Sequence, residues 1–123
     1  MTRKRRRISA LLRPVLGAAL VLAAAYRAES GARSLRDVVY DYAVTSYCGV
    51  LTPEVEFGFR RELAQLTAHY GLTPEQAKAQ RIAGWVAADR EWANRGLGGF
   101  RAWCQTEGSA AVRHFQAIAR ARL

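Results

Sequence analysis

The stretch LTPEQAKAQRIAGWVAADREWAN, residues 72–94, decides the fold class of this chain. Thr73 suits the N-cap of a helix, and Pro74 suits the first helical position, where no N–H needs a partner. Because residues three or four apart share one side of a helix, the stretch predicts a long helix whose tryptophans face the core. The large apolar residues at that spacing are Ile82, Trp85, Val86 and Trp92.

The tetrapeptide LTPE occurs twice, at residues 51–54 and 72–75, and it predicts two helix starts. The residues that follow the two copies do not match, so the repeat indicates one start signal used twice. The first of these helices is expected to end at Gly71, because glycine readily adopts the left-handed conformation that closes a helix. Its predicted apolar face consists of Val55, Phe59, Leu63, Leu66 and Tyr70.

Two further helices flank this pair. Ser34 and Asp37 resemble a capping box at the start of the first helix, which ends at Gly49. A last helix starts at Glu107 or Ser109, and no stretch alternates apolar and polar residues as a strand does. The predicted fold is all-α: a small four- to five-helix bundle, preceded by an N-terminal signal or anchor helix and held by one disulfide.

The positive charge of the chain is concentrated at its N-terminus. The formal net charge is +9, and residues 3–7 are all lysine or arginine. From Gly31 onward the chain has twelve lysines and arginines and nine aspartates and glutamates, so the folded part is close to neutral. A nucleic-acid-binding domain carries its basic patch on the fold itself, so we predict no nucleic-acid partner.

The N-terminal region is predicted to direct export. The basic run precedes an apolar stretch, residues 8–26, and small residues follow, which is the order of a secretory signal. Cleavage after Ala25 or Ala32 fits the preference for small residues there. In the alternative, residues 1–32 remain as an uncleaved signal anchor, and the chain contacts the membrane only through residues 8–26. Both alternatives predict a single exported helical domain over residues 33–123, periplasmic or tethered to the inner membrane.

The two cysteines, Cys48 and Cys104, are predicted to form a disulfide. An even pair in a small exported domain is typical of a structural bridge, and neither cysteine belongs to a CxxC motif. The bridge would close a loop of about 57 residues and contribute about 4 kcal/mol through chain entropy. A redox-active or metal-binding pair is the alternative.

Asp89 is the residue that most suggests a site, since it shares the helical face of Trp85 and Trp92. A buried carboxylate needs a partner, because leaving it unpaired costs several kcal/mol. Three interpretations follow: a structural pair, a ligand or partner site that includes Arg101, or a carboxylate in water. The possible structural partners are Arg101, Arg113, His114, Tyr42 and Tyr47.

Residues 94–99 are predicted as a glycine-rich loop, with a short aromatic segment, residues 100–103, after it. Arg95 and Arg101 flank the glycines, a weak resemblance to an anion cradle. A phosphate-binding loop follows a strand, and no strand precedes this one, so a tight connection is the favoured interpretation.

No combination of residues indicates catalysis, a metal or a cofactor. There is no GxSxG motif, and the two histidines, His69 and His114, lie far apart in sequence. The sequence therefore favours a non-enzymatic accessory or interaction module of the bacterial cell envelope, whose partner is another envelope protein. The alternative is a periplasmic small-ligand-binding or chaperone-like domain that uses Trp85, Asp89 and Trp92.

Overall fold

The computed structural model describes residues 33–121, and the predicted signal or anchor, residues 1–32, lies outside them. Residues 34–121 form one compact unit. Five α-helices are joined by short turns, with a π-helical turn over Cys104–Gly108, and no strand occurs in the described part. The predicted all-α bundle is confirmed, and no helix among residues 33–121 is long and apolar enough to cross a membrane. The helices are α1 Leu35–Tyr47, α2 Pro53–His69, α3 Pro74–Asn94, α4 Gly96–Trp103 and α5 Ser109–Arg120.

The predicted helix starts are confirmed by their caps. The Oγ1 of Thr52 accepts a hydrogen bond from the N–H of Val55 at 3.2 Å. Thr73 and Gln76 form a reciprocal capping box. The Thr73 hydroxyl accepts a hydrogen bond from the backbone N–H of Gln76 at 3.2 Å, and the Gln76 side chain accepts one from the backbone N–H of Thr73 at 3.0 Å. These bonds satisfy backbone donors that would otherwise be unpaired at the first turn. Ser34 caps α1 in the same way, through the N–H of Asp37.

The predicted ends of α1 and α2 are confirmed as well. Gly49 and Gly71 have φ angles of 67° and 58°, the left-handed region that favours glycine. Behind each glycine the chain bonds back to the helix, from the N–H of Val50 to the carbonyl of Thr45 and from Leu72 to Thr67, both at 3.0 Å. This is the Schellman pattern, and it turns the chain sharply enough for neighbouring helices to pack side by side.

Helix α1 lies at the centre of the bundle. It contacts α2 and α5 on one side and α3 on the other, while α2 and α5 pack against each other. Its buried residues are Leu35, Val38, Val39, Ala43, Val44 and Thr45. Val38 joins Val55, Ala111 and Phe115 in one core cluster between α1, α2 and α5. The core is therefore concentrated on one side of α1, and α3 covers the other.

Helix α3 packs on α1 through its smallest residues. Gly84 and Ala88 are its buried residues. A Cβ atom at Gly84 would lie 2.6 Å from the backbone oxygen of Arg36 and 2.8 Å from the Cβ of Val39, so the backbones touch where glycine leaves space. The prediction that Trp85 and Trp92 face the core is therefore wrong: small residues form the closest contact, and the two tryptophans lie at its margin, 39% and 37% exposed.

Helices α2 and α5 also meet at a glycine. A Cβ atom at Gly58 would lie 2.0 Å from the backbone oxygen of Phe115. The predicted apolar face of α2 is confirmed in part: Val55 is buried and Phe59 is half-buried, whereas Tyr70 is exposed.

The segment predicted as a loop is helical. α4 begins at Gly96, whose φ of 63° reverses the chain within a residue or two of the end of α3, so no longer loop is needed. Phe100, the first residue of the predicted aromatic segment, is 39% exposed. The glycines at 96–99 thus serve a tight helix connection rather than an anion cradle.

The predicted disulfide is confirmed. Cys48, at the end of α1, is bonded to Cys104 in the π-helical turn, with the Cα atoms 5.5 Å apart. Gly108 completes this contact, since a Cβ atom there would lie 3.2 Å from the Sγ of Cys48. The bridge therefore fixes the junction between α4 and α5 against the central helix.

Replacing either contact glycine by alanine is expected to destabilise the domain. At an exposed helical position, the change from glycine to alanine gains about 0.5–1 kcal/mol, because alanine restricts the unfolded chain. Gly58→Ala and Gly84→Ala should instead each lower the free energy of unfolding by about 1–3 kcal/mol, since the new methyl group meets backbone. Urea unfolding measures the change, with Ala64→Gly, an exposed position on α2, as control. A gain in stability for either variant would contradict the close approach.

Removal of the disulfide should cost most of the stability of so small a domain. The double variant Cys48→Ser/Cys104→Ser is expected to lose about 4 kcal/mol in urea unfolding, in line with the length of the closed loop. Reduced wild-type protein should match the variant, and intact-mass analysis should show two hydrogens gained on reduction. An unreduced chain that already carries free thiols would contradict the bridge.

Candidate functional site

Large apolar side chains are exposed along the outer side of α3. Ile82 is 53% exposed, Trp85 39% and Trp92 37%. Gly84 and Ala88 occupy the closest contact with α1. Trp85 and Trp92 therefore lie at the margin of that contact, against tyrosines of α1, and remain partly exposed. We call the exposed set the aromatic face, and it consists of Ile82, Trp85, Val86 and Trp92 of α3 and Phe100 of α4.

The rings of the aromatic face form a connected row. Trp92 stacks on Tyr47 of α1, with centroids 5.3 Å apart and ring planes 21° from parallel. The ring of Phe100 also contacts Trp92, with the ring centroids 5.4 Å apart. Trp85 meets Tyr47 and Tyr42 edge to face, at 6.3 and 6.1 Å. These contacts hold the exposed rings in fixed positions, which lowers the entropy lost when another molecule covers them.

Asp89 lies within the aromatic face and is exposed. Of the five partners considered from the sequence, Tyr47 is the one that it contacts: the Tyr47 hydroxyl donates to the Oδ1 of Asp89 at 2.8 Å. This hydrogen bond, with burial as a second cause, raises the pKa of Tyr47. Within the described residues the other carboxylate oxygen, Oδ2, accepts no hydrogen bond and remains open to solvent.

A depression lies at one end of the aromatic face, beside the disulfide. Its volume is about 240 Å³, and Tyr47, Trp92, Phe100, Arg101, Gln105 and the two cysteines line it. Two of the residues singled out from the sequence, Trp92 and Arg101, meet here. The other two, Trp85 and Asp89, lie outside it, further along α3. The structure thus divides the predicted binding residues between a depression and an extended face.

Glu107 connects the π-helical turn to α1, a role that the sequence did not reveal. Its carboxylate accepts from the hydroxyl of Tyr40 at 2.8 Å and from the indole N–H of Trp103. Burial, together with the hydrogen bond to Glu107, raises the pKa of Tyr40 to about 12. The spacing of four between Trp103 and Glu107 was a detectable signal, whereas the contact with Tyr40 spans 67 residues.

A second polar pair joins α2 to α5. Glu62 is only 7% exposed, and its Oε2 lies 2.5 Å from the Nε2 of His114. His114 therefore contacts Glu62 and not Asp89, of which it was a possible partner. Among residues 33–121 no group of three or more histidines, cysteines, aspartates or glutamates is arranged to hold a metal ion.

Comparison with protein-family models, with curated proteins and with solved structures gives no match to this chain.

The raised pKa of Tyr40 predicts a distinct alkaline transition. Its folded-state pKa of about 12 lies above the ordinary value of 10.0, so its contribution to stability is complete below pH 10 and is lost as the pH rises through 12. Ultraviolet titration of tyrosinate should show a late step that disappears in Tyr40→Phe and persists in the control Tyr70→Phe. Persistence of that step in Tyr40→Phe would contradict the assignment.

Proposed function

We propose that residues 33–121 form a non-enzymatic interaction module that binds another protein through the aromatic face. The observation that carries the proposal is the exposure of Trp85, Trp92 and Ile82 on one side of a single helix. Scattered exposed apolar residues are common on protein surfaces, but a contiguous group of large ones is typical of a binding surface. Tryptophan is also among the residues that contribute most to binding energy at interfaces.

The partner is proposed to present an apolar segment that carries a lysine or arginine. Asp89 places a negative charge among apolar side chains, and its Oδ2 is open to solvent. A basic side chain on the partner would pair with that oxygen, while the flanking apolar residues would cover Trp85 and Trp92. Charge pairs of this kind fix register and exclude wrong partners more than they add affinity.

The titratable groups support a binding role over catalysis. General acid–base catalysis needs a proton-transfer group aimed at a substrate. His114 faces Glu62, and Asp89 accepts from the hydroxyl of Tyr47, so each is engaged with a neighbouring helix.

The cell envelope is the proposed location. The Cys48–Cys104 disulfide is typical of an oxidising compartment such as the periplasm. The basic run followed by residues 8–26 adds an export signal, cleaved or retained as an inner-membrane tether. The proposed partner is accordingly another envelope protein.

A chaperone-like or small-ligand-binding domain is the second candidate. The exposed rings favour the former, and the depression beside the disulfide favours the latter. A chaperone would bind many unfolded chains through the aromatic face, whereas an interaction module would bind one partner in a defined register.

The proposal predicts that one partner is lost when the aromatic face is trimmed. A photo-crosslinking residue at position 78, an exposed site on α3 beside the face, should capture the same protein repeatedly from native periplasm and membranes. Ile82→Ala/Val86→Ala should reduce its capture by about thirtyfold, because hot-spot truncations cost about 2 kcal/mol or more. Both positions are exposed helix sites, so the melting temperature should change little.

The matched control is Phe57→Ala, which removes a side chain that is 56% exposed on α2, outside the face. It should leave capture unchanged, and the charge reversal Asp89→Lys should weaken it. Equal capture by the trimmed and control variants would refute the proposed surface. Capture of many unrelated chains with the same sensitivity would favour the chaperone-like alternative.

A further inference from the structure

We infer that the depression beside the Cys48–Cys104 disulfide is a binding site for a small aromatic carboxylate. In this arrangement the ring of the ligand rests against Trp92 and Phe100, and its carboxylate pairs with Arg101. The depression shares Trp92 and Phe100 with the aromatic face, but Ile82, Val86 and Asp89 do not line it, so variants at those three positions distinguish this inference from the proposed protein partner.

The walls of the depression suit an aromatic ring. Trp92 and Phe100 are 37% and 39% exposed, and their centroids lie 5.4 Å apart at a tilt of 43°. That separation leaves no space for a third ring between them, so the two form one continuous wall. Tyr47 extends this wall by stacking on Trp92, and the disulfide adds polarizable sulfur, which contacts aromatic edges favourably.

The size of the depression limits the ligand to one ring and a short side group. Sites for drug-sized molecules occupy about 300–1,000 Å³, while a cavity of about 150 Å³ holds benzene. The value here, about 240 Å³, lies between them. A benzene ring with an acid group two or three atoms long fits this volume.

The charge at the rim selects an anion. Arg101 makes no ion pair or hydrogen bond with any residue of 33–121, and no carboxylate lines the depression. The neighbouring cation, Arg95, is paired with Glu91 at 2.8 Å and stacks over Trp103. The guanidinium of Arg101 is therefore the available cation, and its planar fork matches a carboxylate. The side-chain amide of Gln105, on the same rim, offers a further donor.

Titration of the isotope-labelled full chain with phenylacetate and its neutral counterpart phenylacetamide tests the inference by nuclear magnetic resonance. The three tryptophans provide three indole N–H signals, each at a known place. Phenylacetate should shift the Trp92 signal saturably, with a Kd of about 1–10 mM for a ligand of this size, and should leave Trp85 nearly unmoved. Phenylacetamide should bind about fivefold more weakly, because it lacks the ion pair.

Arg101→Gln should bring the two affinities to the same value. Arg90→Gln, an exposed arginine of α3 outside the depression, should preserve the difference, and Ile82→Ala/Val86→Ala should bind phenylacetate like wild type. Equal binding of acid and amide by the wild-type chain would overturn the inference. So would the absence of a Trp92 shift, or a preference for the acid that survives in Arg101→Gln.

Discussion

The backbone contact between α1 and α3 at Gly84 is the constraint on which the rest of this structure depends. The atoms nearest to the missing Cβ are the backbone oxygen of Arg36 and the side chain of Val39, so nothing larger than glycine fits without moving a helix. With Gly84 and Ala88 facing α1, helical geometry places Trp85 and Trp92 at the margin of the contact and turns Ile82 and Val86 toward solvent. The exposure of Trp85 and Trp92 is thus a consequence of how the helices meet.

The core that remains is small, so cross-links share the task of fixing the helices. Trp103 and Phe115 are the largest fully buried side chains among the described residues. A domain of this size buries a limited share of its surface, and such domains commonly rely on disulfides. Here the disulfide and the bonds from Tyr40 and Trp103 to Glu107 all converge on the π-helical turn. This convergence orders the depression, because Cys104 and Gln105 belong to both the turn and its lining.

Local signals in the sequence predicted the helices well and their orientation poorly. Thr52, Thr73, Gly49 and Gly71 act on their immediate neighbours, so their effect can be read from a few residues. Periodicity shows which residues share a face, but it does not show which face meets a neighbouring helix. On α3 the small residues Gly84 and Ala88 are spaced as regularly as the large ones. Only the path of α1 decides between the two faces.

For the candidate site too, the sequence indicated which residues are involved but not how the packing of the helices arranges them. Trp85, Asp89, Trp92 and Arg101 all lie on or beside the exposed surface, but the sequence could not divide them between the face and the depression. The partner of Asp89 depended on the rotation of α1 relative to α3, which long-range packing sets. The bond to Glu107 from Tyr40 was missed for the same reason, since 67 residues separate the two.

Asp89 changes the character of the surface on which it lies, because it places a charge among apolar side chains. Without it, Ile82, Trp85, Val86 and Trp92 would form an uninterrupted apolar strip, and such strips promote aggregation. The carboxylate interrupts the strip, and its bond to Tyr47 holds it in one position. A fixed charge favours a partner with a matching cation and penalises an apolar one, which would bury the charge unpaired. In the proposed interaction, Asp89 is therefore the residue that makes an exposed apolar surface selective.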